Sequence, residues 1–181
     1  MAMNVLKVVN FRYLTEDCLQ EILNLRNSDR VRMNMANKDK ICFEDHLNFC
    51  RSLFDRKDLL YFAVYVNDSL EGVIDFKSID FILKKYESGS YFIERSQYNI
   101  SYYANLAGFL IAKSLGLTKV SCYVNKENLA AMLLNTCKLK YKIVFEDPVY
   151  YYLEKDLSDE SVSNNKVRTT LEKKFHVEFL L

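Results

Sequence analysis

The sequence predicts a single α/β domain with a mixed, mostly antiparallel, twisted sheet of about seven strands and helices on both faces. The chain has 181 residues, which corresponds to one domain, and half of them are apolar, enough for a substantial core. Segments rich in β-formers also alternate with helical ones. A strand, a helix and the next strand of one sheet require a right-handed crossover, which places helices against the sheet.

The first half of the chain predicts a strand, two helices and a hairpin. Segment 5–14, VLKVVNFRYL, is typical of a strand, and 15–28 has the apolar spacing of a helix with Thr15 as its N-cap. Segment 43–54 is a second short amphipathic helix. In 60–81, two β-rich runs flank NDS, and this pattern indicates a hairpin.

The second half continues the alternation of strands and helices. The predicted elements are strand 89–94, helix 101–116, strand 118–125, helix 127–140 and a closing hairpin over 141–157. Gly116 is suited to end the first of these helices. The resulting order of elements is β-α-α-β-β-β-α-β-α-β-β.

The character of the chain changes near its C-terminus. We assign 1–157 to the domain and 158–181 to a C-terminal extension, which begins with a polar linker over 158–165. The rest predicts a short amphipathic helix with an apolar end, VEFLL. Docking of this helix on the domain and a contact in a homodimer both remain open.

Composition limits the classes of partner. The formal net charge of +1 argues against nucleic acid or an anionic membrane as a partner. No apolar run is long enough to span a membrane, and the N-terminus lacks the layout of a signal peptide. Five cysteines without Cys-x-x-Cys spacing favour reduced thiols in a cytoplasmic protein. The two histidines are far apart, so no metal site is expected.

Three local signatures, taken with the order of elements, resemble the GCN5-related N-acetyltransferase (GNAT) superfamily. They are LNLRNSDRVRMNM followed by EDHLNF, the hairpin YFAVYVNDSLEGVIDF, and VNKENLAAMLLNTCKLKY. The first is similar to enzymes that acetylate the 4-amino group of UDP-linked sugars on the way to pseudaminic acid. The resemblance covers roughly residues 8–156. It implies acetyl-CoA as co-substrate and a small-molecule amine, such as a nucleotide-linked amino sugar, as acceptor.

The resemblance also implies which residues hold the cofactor. The strand end would line the pantetheine arm, and the loop SQYNIS would hold the pyrophosphate at a helix N-terminus. The implied residues are Phe92, Ile93, Glu94, Arg95, Gln97, Asn99, Ser101, Tyr102 and Asn128. The loop departs from the family because Asn99, Ile100 and Ser101 stand where glycines are usual. Asn tolerates left-handed backbone and Ser101 is able to cap a helix, so a weaker phosphate cradle is still expected.

Two asparagines at the third signature bear on chemistry. Asn128 matches the family's asparagine that reaches the pantetheine arm, although it is equally suited to cap the following helix. Asn135 stands where many members carry a tyrosine that protonates the leaving thiolate. Because an amide cannot supply a proton, the acid would be water or a displaced tyrosine such as Tyr141.

Asp75 and Glu94 are the candidate bases. Asp75 lies among apolar residues, and burial would raise its pKa. Alternation puts it on the same face as Val73 and Lys77, so a solvent face with a nearby Lys77 is an equal alternative. Glu94 is at a strand end, where a solvated carboxylate that pairs with Arg95 is the simpler interpretation.

The resemblance implies Arg26, Met33 and His46 as substrate-binding residues, with Arg26 as a fork for phosphate. Simpler interpretations exist. Arg26 ends a helix, where a cation complements the helix dipole, and His46 is suited to a surface. Arg30 and Arg32 make the segment locally basic, which favours an anionic substrate.

The leading hypothesis is an acetyl-CoA-dependent N-acetyltransferase that acts on a nucleotide-linked amino sugar by direct attack on the thioester. A polyamine, an antibiotic or a protein N-terminus is the alternative acceptor. A degenerate member that binds a ligand or partner without chemistry is a further alternative, because of the glycine-free loop and Asn135.

Overall fold

The computed structural model describes residues 3–94, 99–159 and 162–181. Its strands are β1 Asn4–Asn10, β2 Leu60–Val66, β3 Ser69–Asp80, β4 Lys85–Phe92, β5 Lys119–Asn125, β6 Lys142–Glu146, β7 Tyr150–Asp156 and β8 Phe175–Leu180. Its helices are α1 Glu16–Asn27, α2 Asp29–Arg32, α3 Phe43–Ser52, α4 Ile100–Ser114, α5 Leu129–Leu133 and α6 Asn164–Glu172. A 3-10 turn, Phe11–Tyr13, follows β1, and a π-helical turn, Leu134–Lys138, extends α5.

These strands form one sheet in the order β6-β7-β5-β4-β3-β2-β1-β8. The β4–β5 and β1–β8 pairs are parallel, and the other neighbours are antiparallel. The predicted mixed, mostly antiparallel sheet is therefore confirmed, with eight strands instead of about seven. The additional strand is β8, which pairs with β1 through six residues from Asn4↔Phe175 to Val9↔Leu180.

Side-chain alternation along the strands builds a core on each face of the sheet. On one face, Ile74 and Phe76 of β3 pack in the cluster that contains α4 and α6. On the other face, Val73 packs with Leu19 and Ile22 of α1 and with α3. Asp75 lies between Ile74 and Phe76 in sequence, so its side chain points to the face covered by α1 and α3.

The C-terminal extension packs against the domain. Val167 and Leu171 of α6 and Phe175 of β8 are buried in the core beneath α4. Lys113 Nζ of α4 also donates to the Val162 carbonyl at 3.0 Å.

Some predicted boundaries were wrong. β1 ends at Asn10 because Asn10 caps the 3-10 turn, and the loop that precedes β4 is short, so β4 begins at Lys85.

No helix in the described part of the chain is both long enough and apolar enough to cross a membrane.

Candidate active site

The centre of the sheet opens into a V-shaped gap between β4 and β5. The two strands pair at three positions, from Lys85↔Lys119 to Glu87↔Ser121. Beyond these positions β4 stays paired with β3 as far as Phe92, and β5 stays paired with β7 as far as Asn125. The two halves of the sheet therefore separate at the carboxyl ends of β4 and β5.

Backbone amides of β4 face this gap. In an antiparallel pair, hydrogen-bonded and non-hydrogen-bonded residue pairs alternate. Ile93 N–H donates to the Glu71 carbonyl at 2.9 Å, and Phe92 lies opposite Gly72. The N–H groups of Phe92 and Ser90 therefore point away from β3 and into the gap. Within the described ranges, no strand pairs with them there, so they are available to a ligand.

A cavity of about 570 Å³ fills the gap and extends over the face covered by α1 and α3. Of the sequence-predicted site residues, eight line it: Asp75, Phe92, Ile93, Glu94, Asn99, Ser101, Asn128 and Tyr141. Arg30, Met35, Lys77, Glu87, Tyr123, Asn135 and Tyr150 are among the other lining residues. Its volume is within the range of small-molecule sites in proteins.

Described residues at the start of α4 and at the end of β4, among them Asn99 and Glu94, line one wall of the cavity. Arg95 and Gln97 lie outside the described residues. Asn99 has the left-handed conformation, with φ 52° and ψ 41°, and serves as the N-cap residue of α4. The helix thus begins at Ile100, and Ser101 lies in its first turn instead of capping it. Asparagine replaces glycine here because it tolerates positive φ better than other residues with a side chain.

Ile100 is fully buried and belongs to the core cluster of the α4 face. Its bulk therefore packs inside the domain and extends the core beneath the start of α4. The Tyr102 N–H donates to the Asn99 carbonyl at 3.0 Å, so this amide is used within the helix turn. The ring of Tyr102 packs edge-on against Tyr103, 5.2 Å away, and does not line the cavity.

Asn128 and Asn135 both line the cavity from the segment that follows β5. Asn128 Oδ1 accepts the Ala131 N–H at 3.1 Å and so caps α5. The cap uses only the oxygen of the amide, which leaves its NH₂ group to donate elsewhere. Asn135 Nδ2 donates to the Ala131 carbonyl at 2.9 Å, and its Oδ1 is 3.9 Å from the buried Cys122 thiol. Burial raises the pKa of Cys122 to about 12, so this thiol stays protonated.

Asp75 is buried at the wall of the cavity, with 4% of its surface exposed. Lys77 Nζ is 3.2 Å from its Oδ1, an ion-pair distance, although no donor in the described structure is aligned for a hydrogen bond with that oxygen. Burial raises the pKa of Asp75, and the field of Lys77 opposes part of this shift. Asp75 is therefore buried, so the alternative of a solvent face was wrong, although the nearby Lys77 that it expected is present.

Gly89 makes room for this carboxylate. It lies directly opposite Asp75 in the β3–β4 pair. A Cβ atom at position 89 would be 2.7 Å from both Oδ1 and Oδ2 of Asp75, closer than Cβ atoms come to other atoms. The absence of a side chain at this position therefore lets the carboxylate lie flat over β4, beside the gap.

Burial, and then the charge of Asp75, raise the pKa of the neighbouring Tyr61 to about 12. Tyr61 lies opposite Asp75 on β2. Burial tends to lower the pKa of Lys77, but Asp75 and Tyr61 outweigh it, so its pKa is raised. Lys77 is therefore positively charged near neutral pH and places this charge beside the Asp75 carboxylate.

Tyr141 lines the cavity from the chain that leads into β6, and its ring packs against Phe109 with centroids 6.2 Å apart. Burial, with Tyr86 and Cys122 nearby, raises its pKa well above the usual value. The hydroxyl therefore keeps its proton at neutral pH and is a donor. Glu94, in contrast, is exposed at the end of β4.

Arg26, His46 and Met33 do not line the cavity. The guanidinium of Arg26 is buried and donates to the carbonyls of Asp39 at 2.6 Å and Asn37 at 2.8 Å. It therefore fastens the 33–41 loop to the end of α1, and this geometry favours a loop-positioning role over a phosphate fork.

His46 is buried beside Cys50, whose Sγ is 3.7 Å from Nε2. Burial lowers the pKa of His46; a hydrogen bond at the Leu19 backbone opposes this shift and the charge of Arg26 adds to it. Met33 is half exposed, and Met35 lines the cavity in its place. The cationic residue of this segment that reaches the cavity is Arg30, which is exposed on the short helix α2.

The described residues contain no group of three or more His, Cys, Asp or Glu side chains that is placed to hold a metal ion.

Comparison with known proteins assigns this arrangement to a family. No family model matches the chain. Acetyltransferase PseH of Campylobacter jejuni is 30% identical to it over 149 residues, which cover 82% of this chain and 92% of the relative. The chain belongs to the GCN5-related N-acetyltransferase superfamily. Within it, the chain is a relative of the PseH acetyltransferases.

Solved structures agree with this GNAT assignment. The crystal structure of Campylobacter jejuni N-acetyltransferase PseH aligns with a TM-score of 0.67 and 25% identity, over 84% of this chain and 98% of that one. A second PseH structure contains acetyl coenzyme A and aligns with a TM-score of 0.65 and 24% identity, over 84% of this chain and 99% of its own, so it adds support for the fold. Spermidine N-acetyltransferase from Vibrio cholerae has a TM-score of 0.74, but at 16% identity over 84% and 96% of the two chains it shows only the fold.

At this level the prediction of an acetyl-CoA-dependent GNAT enzyme is confirmed. The gap between β4 and β5 also has a clear use in acyl transfer. Unpaired backbone N–H groups beside it are able to hold an extended amide-containing chain and a developing oxyanion. A buried carboxylate with a raised pKa on the adjacent wall is suited to accept a proton.

Proposed function

We propose that this protein transfers the acetyl group of acetyl-CoA to the amine of a nucleotide-linked amino sugar, by direct attack of the amine on the thioester. The observation that carries this proposal is the V-shaped gap, with the amides of Ser90 and Phe92 on one side and Asp75 on its wall. The resemblance of the segments LNLRNSDRVRMNM and EDHLNF to enzymes that acetylate UDP-linked 4-amino sugars supports an acceptor of the amino-sugar class.

The residues that line the gap have distinct roles in this proposal. The N–H groups of Ser90 and Phe92 bind the pantetheine arm and the thioester oxygen. Asp75 accepts a proton from the amine, directly or through water, because its raised pKa makes it a stronger base than an ordinary carboxylate. As the carbon–sulfur bond breaks, the Tyr141 hydroxyl donates a hydrogen bond to the sulfur, with water as the alternative donor.

Asn128 and the N-terminus of α4 complete the cofactor side. The NH₂ group of Asn128 remains available for a carbonyl of the pantetheine arm. The start of α4 at Ile100 directs the positive end of a 15-residue helix toward the same cavity, where a pyrophosphate is favoured. Residues 91–94, with Asn99 and Ser101, form the wall between these two contacts.

The decisive experiment is a calorimetric titration with coenzyme A followed by a thiol-release assay. We expect binding of coenzyme A and turnover with a UDP-linked 4-amino sugar that greatly exceeds turnover with spermidine. Absence of binding heat and of any thermal shift would contradict the acetyltransferase mechanism. Binding with preferential turnover of spermidine would instead replace the acceptor and leave the reaction in place.

The two arginines of the α1–α2 region give a matched pair of variants. Arg30→Ala should raise KM for a nucleotide-linked acceptor about 10-fold, because it removes an exposed cation from the cavity wall, while thermal stability stays unchanged. Arg26→Ala should instead lower Tm by roughly 4–8 °C, because the two loop carbonyls lose their donor and the buried guanidinium no longer fastens the loop to α1. Steady-state kinetics and thermal unfolding of both variants test this. The opposite pattern, with KM altered by Arg26→Ala alone, would restore Arg26 as the phosphate ligand.

A further inference from the structure

An aromatic cluster borders the gap on its β5 side, whereas Asp75 borders the gap on its β4 side. It consists of Tyr123 of β5, Tyr150 and Tyr152 of β7, and Phe145 of β6. Cys122 and Val124 point into the core of the α4 face, so alternation directs Tyr123 to the same face as Asp75. Both Tyr123 and Tyr150 line the cavity, and the cofactor roles described above use neither of them.

The position of Tyr123 relative to Asp75 follows from the strand register. Glu87 pairs with Ser121 in the parallel β4–β5 ladder, so two residues further Gly89 and Tyr123 face each other across the gap. Asp75 lies over Gly89. A molecule whose amine is held at Asp75 therefore has the ring of Tyr123 beside the atoms attached to that amine.

The cluster is held in place before any ligand arrives. Tyr150 packs edge-on against Tyr123, with centroids 5.3 Å apart. The Tyr152 hydroxyl donates to Asp147 Oδ2 at 2.9 Å, and Asp147 Oδ1 accepts the N–H groups of Val149 and Tyr150 at 2.7 Å. The turn between β6 and β7 thus anchors the neighbours of Tyr123, while Tyr123 itself keeps 40% of its surface exposed.

An exposed, well-supported aromatic ring suits a ligand that presents a broad apolar face. A pyranose ring presents such a face through its C–H groups, whereas a linear polyamine does not. We infer that Tyr123 is the platform on which the sugar ring of the acceptor stacks, and that it selects cyclic amines. This inference rests on the proposed acceptor class and identifies the residue that recognises it.

The test compares Tyr123→Leu and Tyr123→Phe with the wild-type enzyme, by steady-state kinetics with varied acceptor and with varied acetyl-CoA. Tyr123→Leu should raise KM for the amino-sugar acceptor about 10-fold and leave KM for acetyl-CoA unchanged. Tyr123→Phe keeps the ring and should stay close to wild type. Phe145→Leu is the matched control, because Phe145 belongs to the same cluster but does not line the cavity.

Each other outcome overturns the inference. An unchanged acceptor KM in Tyr123→Leu removes the stacking role, and an equal rise for acetyl-CoA moves Tyr123 to the cofactor side. A loss in Tyr123→Phe equal to that in Tyr123→Leu assigns the effect to the hydroxyl. Thermal unfolding and a second apolar variant, Tyr123→Met, separate these results from misfolding. A wild-type enzyme without any turnover of amino sugars would instead refute the proposed acceptor, which is a separate result.

Discussion

Replacement of Asp75 with Asn should lower kcat by about 10²- to 10⁴-fold near neutral pH, which is the usual contribution of a positioned general base. The variant keeps the shape of the side chain and its place opposite Gly89, but the amide cannot accept a proton from the amine. KM for acetyl-CoA should change little, because Asp75 lies on the acceptor side of the gap. Single-turnover and steady-state rates across the pH range measure this effect.

Glu94→Gln is the matched control for this experiment. Glu94 lines the same cavity, but it is exposed at the end of β4 and is not enclosed with a cation as Asp75 is with Lys77. We expect it to retain most of the wild-type rate. If Asp75→Asn is fully active and Glu94→Gln is not, the base is Glu94 and the burial of Asp75 serves only the fold.

The same Asp75 variant has a predictable effect on stability. Because burial raises the pKa of Asp75 in the folded state, the protonated carboxyl is the form that folding favours. The contribution of this carboxyl to folding stability is fully present below its unfolded-state pKa of 3.8, and it is lost as pH rises through the folded-state pKa. The wild type should therefore lose stability relative to Asp75→Asn across that interval, as thermal unfolding of both proteins at several pH values would show. If the wild type instead gains stability relative to Asp75→Asn as pH rises, the ion pair with Lys77 outweighs the cost of burying the Asp75 charge.

Local patterns were sufficient for most of the fold and for part of the site. Alternation along β3 correctly separates Val73, Asp75 and Lys77 from Ile74 and Phe76, because a strand in the middle of a sheet has a different core on each face. The resemblance places the pantetheine arm along the end of the strand that forms β4, and the gap between β4 and β5 lies there. The first result depends on a pattern within a few neighbouring residues, whereas the second depends on the resemblance.

β8 shows where local patterns fail. Phe175, Val177 and Phe179 alternate with His176 and Glu178, which is a strand signal, yet the six residues are few and follow a helical stretch. Their hydrogen bonds go to β1, more than 160 residues earlier in the chain. The hydrogen bonds that stabilise this segment as a strand are therefore made with β1, which lies far outside any short stretch of sequence around residues 175–180.

Arg26 and Arg30 show the same limit in the site. The apolar spacing of α1 predicts the helix on which Arg26 lies, but the carbonyls of Asn37 and Asp39 that bind its guanidinium belong to a loop without any periodic pattern. Arg30 lies on a helix of four residues, too short to show a helical period. The sequence therefore predicts a basic segment near the substrate, but it does not show which arginine of that segment lines the cavity.

The pairing of Gly89 with Asp75 is also invisible in the sequence, and it leads to the second large effect. Gly89→Ala should destabilise the protein by about 1–3 kcal/mol and reduce kcat at least about 10-fold. The added Cβ would be 2.7 Å from both oxygens of the buried carboxylate. β4 is held to β3 on both sides of this position, from Lys77↔Glu87 to Gly72↔Phe92, so the strand yields little. The carboxylate has to rotate instead, away from Lys77 and from the amine.

A double-mutant cycle separates this clash from a general effect of alanine in a strand. In the Asp75→Ala background, Gly89→Ala should cost little stability, because the atoms it would collide with are absent. Denaturant unfolding of the four proteins gives the coupling free energy directly. Equal costs in the two backgrounds would show that Gly89 is required for its backbone alone. A strong coupling together with a lost rate in Gly89→Ala would establish that the position of the Asp75 carboxylate, and not only its presence, determines proton removal from the amine.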